Sequence, residues 1–513
     1  MISRRSFVIG GGAALAATTL PLTAGPATAQ PGPARATPTS GIRWDRLRRH
    51  LRGRLVLPSD ADYPKAKQLY QMQFDDVQPR AIAYCERTAD VALCLHFAQD
   101  HDVRVAARSG GHSHGGYSTT PGLVIDVSKL NAVVPGEHTT AIGTGAQTVD
   151  VTNTLAKQGL ALSTGYCPTV AVGGFLQGGG IGLLTRGLGI GADAVTSARV
   201  VLANGKVVTA SPWQHSDLYW ALRGGGGGNF GIVTSYRVTP TPLTNYAAAS
   251  ITWRYDDALE MLDGWTRWLA DTPWTIGSGI NIQLFDSAPG KVPVANVLVG
   301  STDTGPAFDA ELDRLVSLVG RAPAFRPKQV APYQQIMMGL YQCGDLTVEQ
   351  CHRADTSPFG RLPRAAYGLE RGRMFSEAMP REGWAKALAR FDVDRRAGQT
   401  HHVQVSALGG AANRPGRGAT AYVHRDSQFM VNFLASNIFP PVSDEDKAVA
   451  GRWVDQGFDA IDPYSNGESY QNFIDPRLSD WQHSYYAENY RRLRRVKRMY
   501  DPHNVFRSPQ SIR

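Results

Sequence analysis

His112, in the run RSGGHSHGGYS, and Cys167, in STGYCPTVAVGGFLQGGGIG, are the residues of this chain best equipped for chemistry. Imidazole and thiolate are nucleophiles, and each lies in a stretch of small residues, Ser109 to Gly116 for the first and Ala171 to Gly182 for the second. Such stretches let backbone amides approach an anionic ligand with no side chain in the way, and the amides carry fixed partial positive charge. Two nucleophiles set in two such stretches point to one anionic group held close to the backbone.

The surrounding sequence supplies the supports those loops need. AIAYC reads as a strand, Thr88 as the N-cap of an amphipathic helix over ADVALCLHFAQDH, and VRVAA as a strand running into the first glycine loop. GLVIDVS, TTAIGTGA and ARVVLANGKVVTA continue the β-rich pattern, the last with an Asn-Gly hairpin signal at Asn204 and Gly205. From residue 243 to about 465 the character changes to long strand-like runs, SGINIQLFD, VPVANVLVGS, HHVQVSALGG, ATAYVHRD and QFMVNFLAS, broken by helical stretches. That pattern predicts an antiparallel sheet backed by helices. The tail from Ser469 turns helical and basic and ends in NVFRSPQSI.

At 513 residues, 42% apolar and 19% charged, the chain exceeds one ordinary hydrophobic core and reads as two globular domains plus a leader. SRRSFVIGGGAALAATTLPLTAGPATAQ carries twin arginines, Arg4 and Arg5, a weakly hydrophobic stretch and a small-residue site ending at Ala29, which resembles a twin-arginine export signal. Residues 30–41 read as a Pro/Gly/Thr linker. No stretch reaches about 18 uninterrupted apolar residues, so a secreted mature protein is expected, extracellular or periplasmic, with no membrane span. Of the net charge of +9, much sits in Arg43 to Arg54 and Arg491 to Arg498; neither cluster has interleaved aromatics, so both read as solvated helix faces rather than nucleic-acid contacts.

Five cysteines leave one over if the rest pair. With Cys167 set aside, Cys343 and Cys351 read as a local disulfide; Cys85 and Cys94 fit either a second pair or two buried thiols, since Cys94 shares a helix stripe with Val91, Leu95 and Ala98. Gly226, Gly228 and Gly231 match G-x-G-x-x-G, but a strand, IVTSYRV, follows where a dinucleotide fingerprint needs a helix. No phosphate-loop, zinc or nucleophile-elbow motif occurs, and no metal site is expected.

Taken together, RSGGHSHGGYS, GYCPTVAVGGFLQGGGIGLLTRGLGIGADAV, DLYWALRGGGGGNFGIVT and NYRRLRRVKRMYDPHNVFRSPQSI resemble the berberine-bridge-enzyme-like flavin oxidases of the vanillyl-alcohol oxidase superfamily. The resemblance implies an α+β fold. It places a PCMH-type FAD-binding domain of two subdomains at 42–242, with its core at 74–242, a substrate domain at 243–465, and a segment at 466–513 that returns to the FAD domain. It implies FAD bound twice covalently, His112 at the 8α carbon and Cys167 at C6. Arg108, Ser109, Gly110, Gly111 and Ser113 would wrap the pyrophosphate with His112. Gly173, Gly174, Gly178, Gly179, Gly180, Gly182 and Asp193 would line the cofactor, with Asn229, Gly231, Ile232 and Val233 nearer the adenosine.

By the same resemblance, a substrate C–H gives hydride to the flavin, a base takes the O–H proton, and O2 reoxidises the flavin to release H2O2. Val170, three residues after the cysteine, looks like the choice that admits O2. Many relatives carry Y-x-N-Y-x-D late in the chain; here the stretch is SYQNFID, where Tyr470, Asn472 and Asp475 match and Phe473 lacks the hydroxyl. Tyr470 is the surviving candidate base, with a structural tyrosine as its other reading, and His114, where relatives often carry tyrosine, is a second candidate. A carbohydrate lactol or secondary-metabolite alcohol is the expected substrate, acted on by a monomer. Trp253, Trp265, Trp268 and Trp274 would either stack on sugars or fill the core. Two other readings are a flavin dehydrogenase serving a non-oxygen acceptor and a noncatalytic flavin-containing binder.

Overall fold

A computed structural model describes residues 41–513; the leader at 1–29 and nearly all of the linker at 30–41 lie outside the described residues. The fold is α+β. Arg54–Val56, Ala81–Tyr84, Leu123–Asp126 and Val105–Arg108 form a four-stranded sheet in that order, its last three strands parallel. Val133–Pro135, Thr140–Gly143, Ile232–Val238, Val195–Val201 and Val207–Ala210 form a five-stranded antiparallel sheet. The Asn-Gly hairpin joins its last two strands, with Gly205 at φ +76° as such a turn requires. The strand Ile232–Val238 directly after Gly231 confirms that GGGNFG does not open a helix.

The third large sheet has seven antiparallel strands in the order Lys328–Pro332, Asn245–Trp253, Val294–Ser301, Ile276–Leu284, Thr400–Ala407, Phe429–Asn437 and Tyr367–Phe375. Its period of two decides what it does. Val403, Val405, Ile280 and Ile282 turn to a core shared with the helices Ala258–Leu269, Pro306–Val319, Arg381–Ala389 and Asp444–Ile461. The alternate residues His402, Gln404, Ser406 and Gln283 line a cavity on the opposite face. Trp253, Trp265 and Trp268 belong to that helix-backed core, and Trp274 lies outside the cavity lining beneath the Arg414 guanidinium, so none of the four offers a sugar platform there.

The helix Tyr490–Tyr500 sets Leu493 and Val496 into a core with Leu218, Trp220 and Phe230, leaving Arg491, Arg494, Arg495 and Arg498 in solvent. Buried Lys497 donates to the carbonyls of Asn229 and Phe506 and to Asp501, and Ile512 N–H reaches Asn229 Oδ1 at 3.1 Å, tying the tail to the glycine turn before Ile232–Val238.

Two local expectations are corrected, and one open alternative is decided. The helix Thr88–Asp100 starts one residue earlier than predicted, because the Thr88 hydroxyl bonds Thr234 and the Asp90 carboxylate instead receives the amides of Arg52, Gly53 and Glu86. ATAYVHRD is not a strand; its polar residues are buried in side-chain bonds, His424 between Glu468 and Gln471, and Arg425 on Asp193. Cys85 and Cys94 are buried free thiols, whereas Cys343 and Cys351 are joined as expected.

Candidate active site

The cavity between the glycine loops and the polar face of the seven-stranded sheet measures about 920 Å³, at the upper end of small-molecule sites. The strand Val105–Arg108 delivers the first loop to it, and the short helix Val172–Gln177 carries the second. His112 and Cys167 meet there on one hydroxyl: His112 Nε2 lies 2.9 Å and Cys167 Sγ 3.7 Å from Thr169 Oγ1. The Tyr70 ring stacks on His112 at 4.3 Å between centroids and fixes the plane of the imidazole.

Burial, with Arg353 and His114 adding positive charge, holds the His112 pKa well below its ordinary value, so the imidazole is neutral and its lone pair is available. Burial raises the Cys167 pKa, opposed by hydrogen bonds from Thr169 and Val170 and by Arg353. Cys167 is therefore a thiol at rest and reacts only when it loses that proton.

The cavity wall fits a bulky anionic group. No backbone amide from Ser109 to His114 donates a hydrogen bond within the described residues. Such a succession of unpartnered N–H groups is what a bound phosphate needs. A Cβ added at Gly174 or Gly228 would meet nothing within 4 Å, so the absent side chains leave open cavity rather than close packing. Arg108 pairs with Asp126 through Nε and keeps Nη1 buried without a partner.

Of the residues singled out in the sequence, Arg108 to Ser113, Cys167, Val170, Gly173, Gly174, Gly231, Ile232, Val233, Tyr470 and Asn472 line this cavity. Gly178, Gly179, Gly182, Asp193 and Asn229 do not. A Cβ at Gly178 would strike Asn472 Oδ1 at 1.9 Å and one at Gly182 would strike the Thr164 carbonyl at 1.8 Å, so close packing demands those glycines. Gly179, at φ +127°, faces Tyr422. Asp193 binds Arg425 through both oxygens, and Asn229 anchors the C-terminal tail. The Tyr470 oxygen accepts from Gly180 N at 2.7 Å and Asn472 Nδ2 at 2.9 Å, and burial pushes its pKa above the ordinary phenol value.

Residues 79–211 match the family described as FAD binding domain, and residues 469–513 match the family described as berberine and berberine like. The FAD-linked oxidoreductase YgaK of Bacillus subtilis is 30% identical over 471 residues, 90% of this chain and 97% of its own. The chain belongs to the berberine-bridge-enzyme-like FAD-linked oxidoreductases. A xylooligosaccharide oxidase of Thermothelomyces thermophilus is 28% identical, covering 85% of this chain and 87% of its own. Among solved structures, a chitooligosaccharide oxidase superposes with a TM-score of 0.79 at 21% identity, over 91% of this chain and 99% of its own. Berberine bridge enzyme from Eschscholzia californica gives 0.78 at 22%, over 89% and 96%.

This berberine-bridge-enzyme-like oxidoreductase also brings to the cavity residues that no motif announced. Tyr70 comes from KQLYQMQF ahead of the first parallel strand, and Glu370 from the sheet strand Tyr367–Phe375. Arg353 follows the disulfide-closed loop and approaches the carbonyl of Gly110 at 3.5 Å. Only Thr169 sat inside a quoted motif, where its position between Cys167 and Val170 was the available signal. Among the described residues, no helix is long and apolar enough to cross a membrane and no cluster is suited to a metal ion.

Proposed function

We propose that this enzyme is an exported oxidase that takes hydride from a lactol or alcohol carbon of a carbohydrate, or of a glycosylated metabolite, and delivers the electrons to O2 as H2O2. The observation that carries the reading is the convergence of His112 and Cys167 on Thr169 at the wall of a glycine-lined cavity. Two nucleophiles at one spot suit two bonds to one flavin, with His112 entering as a neutral imidazole and Cys167 as a thiolate. FAD bound here supplies a two-electron acceptor next to the substrate. The amides from Ser109 to His114 would hold its pyrophosphate, Gly173 and Gly174 would admit its ring system, and Gly231, Ile232 and Val233 would flank the adenosine half.

The polar sheet face supports a sugar as the partner. Gln283, His402 and Gln404 present hydrogen-bonding groups across the cavity from the glycine loops, and the xylo- and chitooligosaccharide oxidases named above act on such ligands by name. Tyr470 holds the Gly180 turn and Asn472 through its oxygen, which supports a positioning role for it. Val170 beside the flavin site is the residue expected to leave room for O2. The twin-arginine leader, in residues 1–29, would carry the folded, flavin-loaded enzyme across the membrane.

The test is the purified mature enzyme with cello-, xylo- and chito-oligosaccharides, read anaerobically as bleaching of the flavin and in air as H2O2. Bleaching with stoichiometric peroxide is expected. Bleaching followed by slow reoxidation in air would make the enzyme a dehydrogenase, and no bleaching by any sugar would overturn the carbohydrate reading.

A further inference from the structure

We propose that the proton acceptor in this enzyme is His114, a neutral imidazole held by the Glu370 carboxylate beside the Phe473 ring. The proposal rests on the oxidase reading above and adds the residue that takes the proton.

Three observations bring the pair together. His114 Nδ1 lies 3.0 Å from Glu370 Oε2, with the carboxylate side chain 3% exposed and the imidazole 29%. The imidazole's exposure is to the cavity, which both residues line. His114 comes from the cofactor loop, two residues after His112, whereas Glu370 rises from the edge strand Tyr367–Phe375, so the contact bridges the two walls of the site. The Phe473 ring, which carries no hydroxyl to compete for the proton, is tilted against His114 with centroids 5.6 Å apart.

Chemistry picks out this pair among the cavity's titratable groups. Tyr470 has its oxygen bonded to Gly180 and Asn472, and His402 gives Nε2 to Asn281. His112 is directed at Thr169. His114 Nε2 has no hydrogen-bond partner among the described residues, while Nδ1 faces the carboxylate at 3.0 Å, which leaves Nε2 as the nitrogen open to a proton from the cavity. Neither carboxylate oxygen of Glu370 makes a well-aligned hydrogen bond, so the contact is chiefly one of charge and strengthens when His114 gains a proton. Burial lowers the His114 pKa, and the negative charge of Glu370 outweighs it, so the net shift is upward. The other titratable group facing it is His112, which the positive charge of His114 helps keep neutral.

In the step this predicts, the substrate O–H bond breaks and its proton goes to His114 Nε2. The neighbouring C–H bond breaks, and its hydrogen leaves with both electrons for the oxidised flavin. The C=O bond forms from the electron pair left on oxygen. The substrate is oxidised by two electrons, the flavin is reduced by two, and the imidazolium is balanced by Glu370 until the proton passes to water in the cavity.

Two readouts on the holoenzyme test it. In the first, histidine carrying a carbon-13 label is titrated by NMR with no substrate present, the His114 signal being assigned from His114→Gln. It should titrate above the ordinary histidine value of about 6.5 and move down in Glu370→Gln. A signal that Glu370→Gln leaves in place overturns the coupling. In the second, flavin reduction is followed with whichever of the cello-, xylo- or chito-oligosaccharides bleaches the wild-type flavin. His114→Gln should keep its bound flavin and lose roughly 10²- to 10⁴-fold in the reduction rate, with KM changed only a few-fold. Glu370→Gln should carry the acid limb of the pH profile to lower pH. A His114→Gln enzyme reduced at the wild-type rate overturns the proposal and leaves the oxidase reading standing. Failure of every sugar on wild-type enzyme defeats the carbohydrate reading instead, and the titration then decides the pair.

Discussion

Thr169 is the point at which the two proposed anchors meet, and each can be removed separately. Cys167→Ala should leave the flavin attached through His112, and His112→Ala with Cys167→Ala should give protein whose yellow colour is released by acid precipitation. Colour that stays with the double variant would show that other residues hold the cofactor. Phe473 is a different kind of residue, packed between His114 and Tyr470 in what we propose is the substrate side of the cavity. Phe473→Tyr is therefore expected to keep full flavin loading, measured as the ratio of flavin to protein absorbance, and apoprotein from that change would contradict its placement.

At the scale of elements, the site depends on segments with ordinary patterns that tertiary contacts make special. Arg425, in the irregular segment ATAYVHRD, has a side chain 1% exposed and holds Asp193. Arg425→Ala would strand that carboxylate and should cost about 3–5 kcal/mol, seen as a lowered unfolding midpoint; a midpoint equal to wild type would contradict the role given to this pair. The same segment explains what the sequence hid. Its apolar residues alternate as in a strand, and only the ion pairs on Asp193 and Glu468 reveal that its backbone runs free of any ladder. The glycine loops and the strand before the first were legible because their chemistry is local. Glu370 and Tyr70 were not, since a glutamate on a strand and a tyrosine in an irregular stretch acquire meaning only when the chain folds them onto the loops. Gly178, Gly182 and Asp193 were legible as motif residues, yet contacts with Asn472, Thr164 and Arg425 account for them.

For the whole molecule, His401 and His402 on the sheet strand Thr400–Ala407 contribute to the response to acid. Burial pulls His401 to about 3, with Arg395 and Arg390 adding to it, and pulls His402 to about 4. In the unfolded chain each titrates near about 6.5, so between these values the unfolded state binds more protons and stability falls as pH is lowered. Urea midpoints should therefore drop between about pH 6.5 and about pH 4, and His401→Gln should flatten that slope; an unchanged slope would exclude His401 as a source. The account as a whole depends on His112 and Cys167 sharing one flavin. Digestion of the denatured holoenzyme followed by mass spectrometry tests this most directly. A single FAD joining the peptide that contains His112 to the peptide that contains Cys167 is the predicted product; peptides that both appear free of flavin mass would contradict it.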